Sequence, residues 1–194
     1  MNADLFENFK WDYQSELRME GEKLIMSATP HSNYFVDPAY GNKDLSGPYY
    51  HIETHKDFML KAKVSHAFKN VYDACALMVM SDDTCWGKLC FEFTDIGTHS
   101  VVSVVTNGVS DDANGVDIHG NSVYLQMAKK GNLFGMHYSL DGHHFNMVRY
   151  FSLPVKEIFK LGFVAQSPRG DGGDFMFDDI QFDFSSLKDL RKGI

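Results

Sequence analysis

WGKLCFEF (86–93) is the stretch that settles the class of this chain, because its residues alternate with a period of two. Leu89, Phe91 and Phe93 fall on one side, and Trp86, Lys88 and Glu92 on the other. A strand with that pattern covers a core with one face and presents polar groups on the opposite face. FMLKAKV (58–64) repeats it, with Phe58, Leu60, Ala62 and Val64 opposing Lys61 and Lys63. VYLQM (123–127) does the same, setting Val123, Leu125 and Met127 against Tyr124 and Gln126. HSVVSVVT (99–106) reads as a more fully buried strand. Helical periodicity is sustained nowhere, and only LPVKEIF (153–159) suggests a single helical turn.

Turn chemistry punctuates these runs at roughly ten-residue spacing. SDDT (81–84), DIGTH (95–99), HGNS (119–122), KKGN (129–132) and LDGHH (140–144) supply the Gly, Asn and Asp of tight connections. LDGHH, between LFGMHYS and FNMVRYF, is the strongest hairpin signal, since Asp-Gly accepts the positive φ of a two-residue turn. In DFMFDDIQFDF (174–184) the apolar parity shifts midway, from Phe175 and Phe177 to Ile180, Phe182 and Phe184. One extra residue near Asp178–Asp179 predicts a β-bulge that keeps both halves on the core. Before Tyr49 the chain, with Pro30, Pro38, Gly41 and Gly47, reads as irregular and wraps over the sandwich edge. The expectation is an all-β, antiparallel two-sheet sandwich that forms one domain over residues 1–194.

Composition narrows the functional classes. The 194 residues are 14% aromatic and carry a formal net charge of −8. That surface repels a phosphate backbone and anionic lipid, which argues against nucleic-acid and membrane partners. No run approaches the ~20 apolar residues of a membrane span. The acidic start, MNADLFENFKWDYQSE, lacks the basic and apolar regions of a signal peptide. Cys75, Cys85 and Cys90 have no zinc-type spacing, and Cys85 and Cys90 fall on opposite strand faces. All three read as reduced cysteines of a cytoplasmic chain.

Four segments carry a family resemblance: YDACALMVMSDDTCWGKLCFEF (72–93), VVSVVTNGVSDD (101–112), HYSLDGHHFNMVRYF (137–151) and LGFVAQSPRGDGGDFMFDDIQF (161–182). With them the chain resembles the DUF1349 family, whose eukaryotic members include the regulation-of-enolase protein 1 group. Ala76 stands where the family usually has Gly, and Asp112 where it usually has an aromatic residue. The resemblance implies a concanavalin A-like jelly roll of the lectin/glucanase type and says little about activity.

Alternation gathers Trp86, Lys88, Glu92, Tyr124, Gln126, His137 and Arg149 as candidate ligand-binding residues, with Gln166 on a neighbouring strand. On one concave sheet face they would offer charged hydrogen-bond partners beside aromatic rings, the combination a sugar needs. The alternative is a solvated ion-pair network of little consequence. The leading expectation is therefore a non-catalytic carbohydrate- or small-ligand-binding module without a cofactor. A second is a glycan-active hydrolase with Glu92 as acid or nucleophile. Canonical glycosidases need two carboxylates. Glucanases of this fold carry E-x-D-x-x-E, and CFEFTDIG leaves Glu92 alone, with Asp73 or Asp111 as distant alternatives. A third expectation, suggested by the family group's name, is a regulatory or protein-interaction role in metabolism. Exposed sandwich edges also allow a homodimer.

Metal signals are weak. SDDANGVD (110–117) loosely resembles a calcium loop through Asp111, Asp112, Asn114 and Asp117, but lacks the closing Glu. His51 and His55, at i and i+4 on a strand, lie ~13 Å apart, too far for one ion. His143 and His144 belong to a hairpin tip. SPRGDGGD (167–174) is Gly-rich, but no helix follows to complete a phosphate cradle.

Overall fold

A computed structural model describes residues 6–194, so the first five residues of the acidic N-terminal stretch lie outside the described part. All its named elements are strands. In the first quarter these are β1 (Lys10–Asp12), β2 (Leu17–Glu20), β3 (Lys23–Ala28), β4 (Tyr34–Val36), β5 (Lys43–Leu45) and β6 (Tyr49–Thr54). The middle holds β7 (Phe58–His66), β8 (Ala74–Asp82), β9 (Cys85–Phe93), β10 (His99–Asn107) and β11 (Val109–Asp117). The last part holds β12 (Ser122–Lys130), β13 (Leu133–Ser139), β14 (Asn146–Ser152), β15 (Phe159–Gln166) and β16 (Gly173–Asp183).

Two seven-stranded sheets form a sandwich, with every pairing antiparallel. The first runs β1-β6-β15-β8-β9-β10-β11 and the second β14-β13-β12-β7-β16-β3-β2. Their facing sides share a core of Phe58, Leu60, Ala62 and Val64 on β7, Leu89 and Phe91 on β9, and Leu125 and Met127 on β12. Each fully buried Phe or Leu contributes about 1.5–3 kcal/mol. The bulge in β16 is present: pairing with β7 jumps from Asp178↔Lys63 to Gln181↔Lys61, and Asp179 takes φ 44°. Phe175, Phe177 and Ile180 stay in the core as a result, although Phe184 ends 40% exposed beyond the strand.

Three expectations change. The region before Tyr49 is not irregular: β3 pairs with both β2 and β16, burying Leu24 and Met26, while β4 and β5 pair with each other. These strands are too short, between Gly21 and Pro30 and around Pro38, for a period to register. LPVKEIF forms no helix, since Pro154 interrupts it and Phe159 already opens β15. LDGHH is wider than a two-residue turn, because pairing of β13 with β14 stops at Tyr138↔Asn146. Asp141 closes the loop instead, with Oδ1 accepting from the backbone of His143 and His144 at 2.8 Å each. Gly142 takes the positive φ of 77°.

Candidate functional site

The outer face of the first sheet, away from the core, carries the site. Register sets its rows. One row runs Asp112 (β11), Val104 (β10), Lys88 (β9) and Met78 (β8). Two rows along it runs Ser100 (β10), Glu92 (β9), Ala74 (β8) and Gln166 (β15). Cys90 and Ala76 lie between. Small side chains at 74 and 76 leave room for Lys88 to lean across to β15, where Nζ donates to Gln166 Oε1 at 2.8 Å. Gln166 in turn donates through Nε2 to the Tyr72 carbonyl at 3.3 Å.

Lys88, Glu92, Val104 and Gln166 floor a cavity of about 310 Å³. Phe35 and Asp37 wall it on the β4 side, Tyr72 and Arg169 on the loop side, and Asp112 from β11. Val36 N–H donates to Ser110 Oγ at 2.9 Å, which fastens β4 over this face. The Arg169 guanidinium sits 4.8 Å from the Tyr72 ring centroid. Tyr72 holds φ 71°, a strained value for a non-glycine residue, at the cavity lip.

Electrostatics here are unusual. Lys88 is 2% exposed and Glu92 8%. Among the described residues Lys88 has one hydrogen-bond partner, Gln166, and Glu92 has none. Burial pushes the Glu92 carboxyl up to about 8, against the opposing pull of the Lys88 charge and with help from Asp112 and Asp95. Glu92 is therefore largely protonated at neutral pH. Burial also raises Asp112, again against Lys88 and Arg149.

The seven candidate residues do not share one face. Only Lys88 and Glu92 line this cavity. Trp86 is fully buried in a smaller cluster beneath Tyr34, 6.2 Å between centroids, so it offers no exposed platform. Tyr124, Gln126 and His137 belong to the other sheet, where the C-terminal segment covers the latter two. Gln126 Nε2 donates to the Gly193 carbonyl at 3.1 Å, and His137 Nε2 to the Leu190 carbonyl at 2.7 Å. Arg149, on edge strand β14, reaches across to Asp111 on edge strand β11 at 3.1 Å and ties the two sheet edges together. Alternation assigns a face within a sheet but does not say which sheet, and two sheets have two outer faces.

Other expected groups resolve differently. Asp73 Oδ1 accepts from Ser167 Oγ at 2.6 Å and Oδ2 from Asn70 N–H at 2.9 Å, so it ties two loops together. The 110–117 segment is not a loop but strand β11, whose pairing slips between Ser100↔Asp117 and Val102↔Asn114. Asp111 is spent on Arg149, and Asp117 accepts from Ser100 Oγ at 2.5 Å. Cys75, Cys85 and Cys90 are all free and buried. No helix of the described residues is long and apolar enough to cross a membrane. Sequence reasoning missed Tyr72, Arg169, Phe35 and Asp37 as site residues. Arg169 had a local signal, three residues past Gln166 in the Gly-rich turn.

The chain matches the family model described as "Protein of unknown function (DUF1349)" over residues 11–184. No curated protein matches. Among solved structures it is similar to a functionally unknown protein from Saccharomyces cerevisiae, with TM-score 0.84 and 23% identity, covering 94% of this chain and 98% of that one. It is also similar to the carbohydrate binding module CBM66 from Bacillus subtilis, with TM-score 0.58 and 13% identity, covering 90% and 94%. The GH43 protein BlXynB of Bacillus licheniformis matches at TM-score 0.63 and 12% identity, covering 91% of this chain but only 39% of that protein. At these identities the likeness is one of fold, a jelly-roll sandwich.

Proposed function

For a chain that belongs to the DUF1349 family, we propose that the Lys88–Glu92 cavity binds a carbohydrate or other small polyhydroxylated ligand without breaking a bond in it. One observation carries the reading: a lysine and a glutamic acid, each more than nine-tenths buried, face one cavity with a single hydrogen bond between them and the protein. Burying an ammonium costs several kcal/mol unless partners replace its water. Ligand hydroxyls supply both missing roles. They accept from Lys88 Nζ, and they accept from and donate to the neutral Glu92 carboxyl. Tyr72, with Arg169 against its ring, and Phe35 offer apolar surface to a sugar ring. The fold is shared with a carbohydrate binding module and with GH43 proteins, which makes the class a natural one to test first.

Calorimetric titration with neutral mono- and disaccharides tests this. At pH 7, Lys88→Met and Gln166→Ala should each weaken binding by at least ~10-fold. Glu92→Gln should bind nearly as the wild type, because an amide replaces a neutral carboxyl. No heat and no thermal stabilisation with any sugar would contradict the reading.

A specific observation also supports the second reading, glycan hydrolysis. Glu92 is an acid held protonated at neutral pH, and Asp112 lines the same cavity as a second carboxyl group. Glu92 is the solitary carboxyl group of its strand face on β9, and β11 brings Asp112 to the same cavity. The same variant separates the readings. Release of reducing ends that Glu92→Gln abolishes would establish catalysis, and binding that Glu92→Gln preserves without turnover would exclude it.

A further inference from the structure

Buried polar side-chain atoms without hydrogen-bond partners are rare, and each asks for an explanation. Among the described residues, Tyr34 Oη, Trp86 Nε1 and both His51 ring nitrogens are four such atoms. All belong to one patch on the outer face of the first sheet. Tyr34 and Trp86 lie edge to face at 6.2 Å, Tyr34 and Tyr49 at 6.1 Å, and Tyr49 and His51 at 4.8 Å. His51 Nε2 stands 3.4 Å from Asp12 Oδ1, beyond ordinary hydrogen-bond length for this geometry.

Beside the patch is a cavity of about 540 Å³, lined by Asp12, Tyr13, Tyr34, Lys43, Met80 and Asp83, with Leu45. It shares no lining residue with the Lys88 cavity. Adjacent residues of β4, Tyr34 and Phe35, wall the two cavities on opposite sides of the β4–β5 hairpin. Tyr34 is 1% exposed, and the charges felt at its hydroxyl are those of Asp12, Asp83 and Asp44, two of them cavity residues.

We propose that this cavity is a second binding site, which takes a neutral polyhydroxylated molecule such as one or two sugar rings. Neutrality follows from the rim, whose two lining carboxylates are already paired, Asp83 with Lys43 at 3.1 Å and Asp12 with Lys160. Hydroxyls follow from the mixed demand. Tyr34 lines the cavity and its hydroxyl is a donor without an acceptor, while the Asp12 and Asp83 carboxylates at the rim accept. A hydroxyl is the small neutral group that both accepts and donates. The exposed Tyr13 ring flanks the opening. From the preceding reading the inference takes only the ligand class, and its residues are separate.

Amide-resolved NMR titration of the full chain with glucose, xylose, sucrose and xylobiose tests it. The amides of Tyr13, Lys43 and Asp83 should shift saturably with at least one sugar. Tyr34→Phe, which keeps the ring and removes only the hydroxyl, should weaken that response by roughly tenfold, as should Asp83→Asn at the rim. Lys88→Met should leave it unchanged while abolishing shifts around Lys88. Shifts at Lys88 alone would overturn this second site and leave the first standing. Absence of saturable shifts at Tyr13, Lys43 and Asp83, as expected for a cavity that takes water only, would overturn it, as would a response indifferent to Tyr34→Phe.

Discussion

The two sheets of the sandwich each turn polar side chains outward from the core, and they treat them in opposite ways. On the second sheet, Gln126 and His137 are capped by the chain itself: Leu190 and Gly193 bring carbonyls down on them. That turn is locked by Asp189, whose Oδ1 accepts from Arg191 and Lys192 N–H at 2.9 and 3.1 Å. On the first sheet, Lys88 and Glu92 are as deeply placed, yet a cavity stands over them and one glutamine reaches Lys88 alone. Buried polar groups become a candidate site where a cavity stands over them, and part of the scaffold where the chain itself covers them, even with His137 Nδ1 left without a partner.

The largest effect should come from undoing the capped side. Gly135 is required there by close approach: a Cβ would meet the Leu190 carbonyl at 2.6 Å and His137 Cε1 at 2.8 Å. Gly135→Ala, or removal of Leu190–Ile194, should strip the covering carbonyls from Gln126 and His137 and lower stability by roughly 2–4 kcal/mol in denaturant unfolding. Sugar binding at the Lys88 cavity should survive. Loss of binding together with the tail would erase the contrast between the two faces.

A smaller effect, and a sharper one, is expected from pH on the open side. The folded protein holds the Glu92 proton up to about pH 8, whereas an unfolded glutamate releases it near the ordinary 4.5. Its contribution to stability is therefore fully present below about 4.5 and is lost as pH rises through about 8. Glu92→Gln should flatten that decline, by at most about 1.4 kcal/mol per pH unit between those limits. Unfolding curves of the two proteins from pH 5 to 9 would show it, and parallel curves would mean that Glu92 is ionised in the fold.

Smallest of all should be the exposed rim. Lys10 and Glu53 pair at 3.2 Å with most of the lysine in solvent. Lys10→Met should change stability by at most about 0.5 kcal/mol and vanish into error at high salt. A larger effect would weaken the view that burial, and not ion pairing as such, distinguishes Lys88.

Much of this architecture can be read from the residues. The alternation in 58–64, 86–93 and 123–127 places the core side chains, and the doubled Asp178–Asp179 marks the bulge because a parity shift has few other causes. The site is only half legible. Lys88 and Glu92 share a face by strand period alone, a local property. What covers that face is not local: Tyr34 roofs Trp86 and Phe35 walls the cavity from a hairpin far earlier in the chain, in strands of three residues. Gln126 and His137 look the same as Lys88 in period, and only the tail that seats on them tells them apart.

The most direct test is a crystal structure of the protein soaked in the tightest-binding sugar of the calorimetric panel. Density is expected over Lys88 and Glu92, with a ligand hydroxyl within about 3 Å of Lys88 Nζ and another on the Glu92 carboxyl. A cavity holding only water at saturating sugar, with Lys88 unchanged on Gln166, would contradict it.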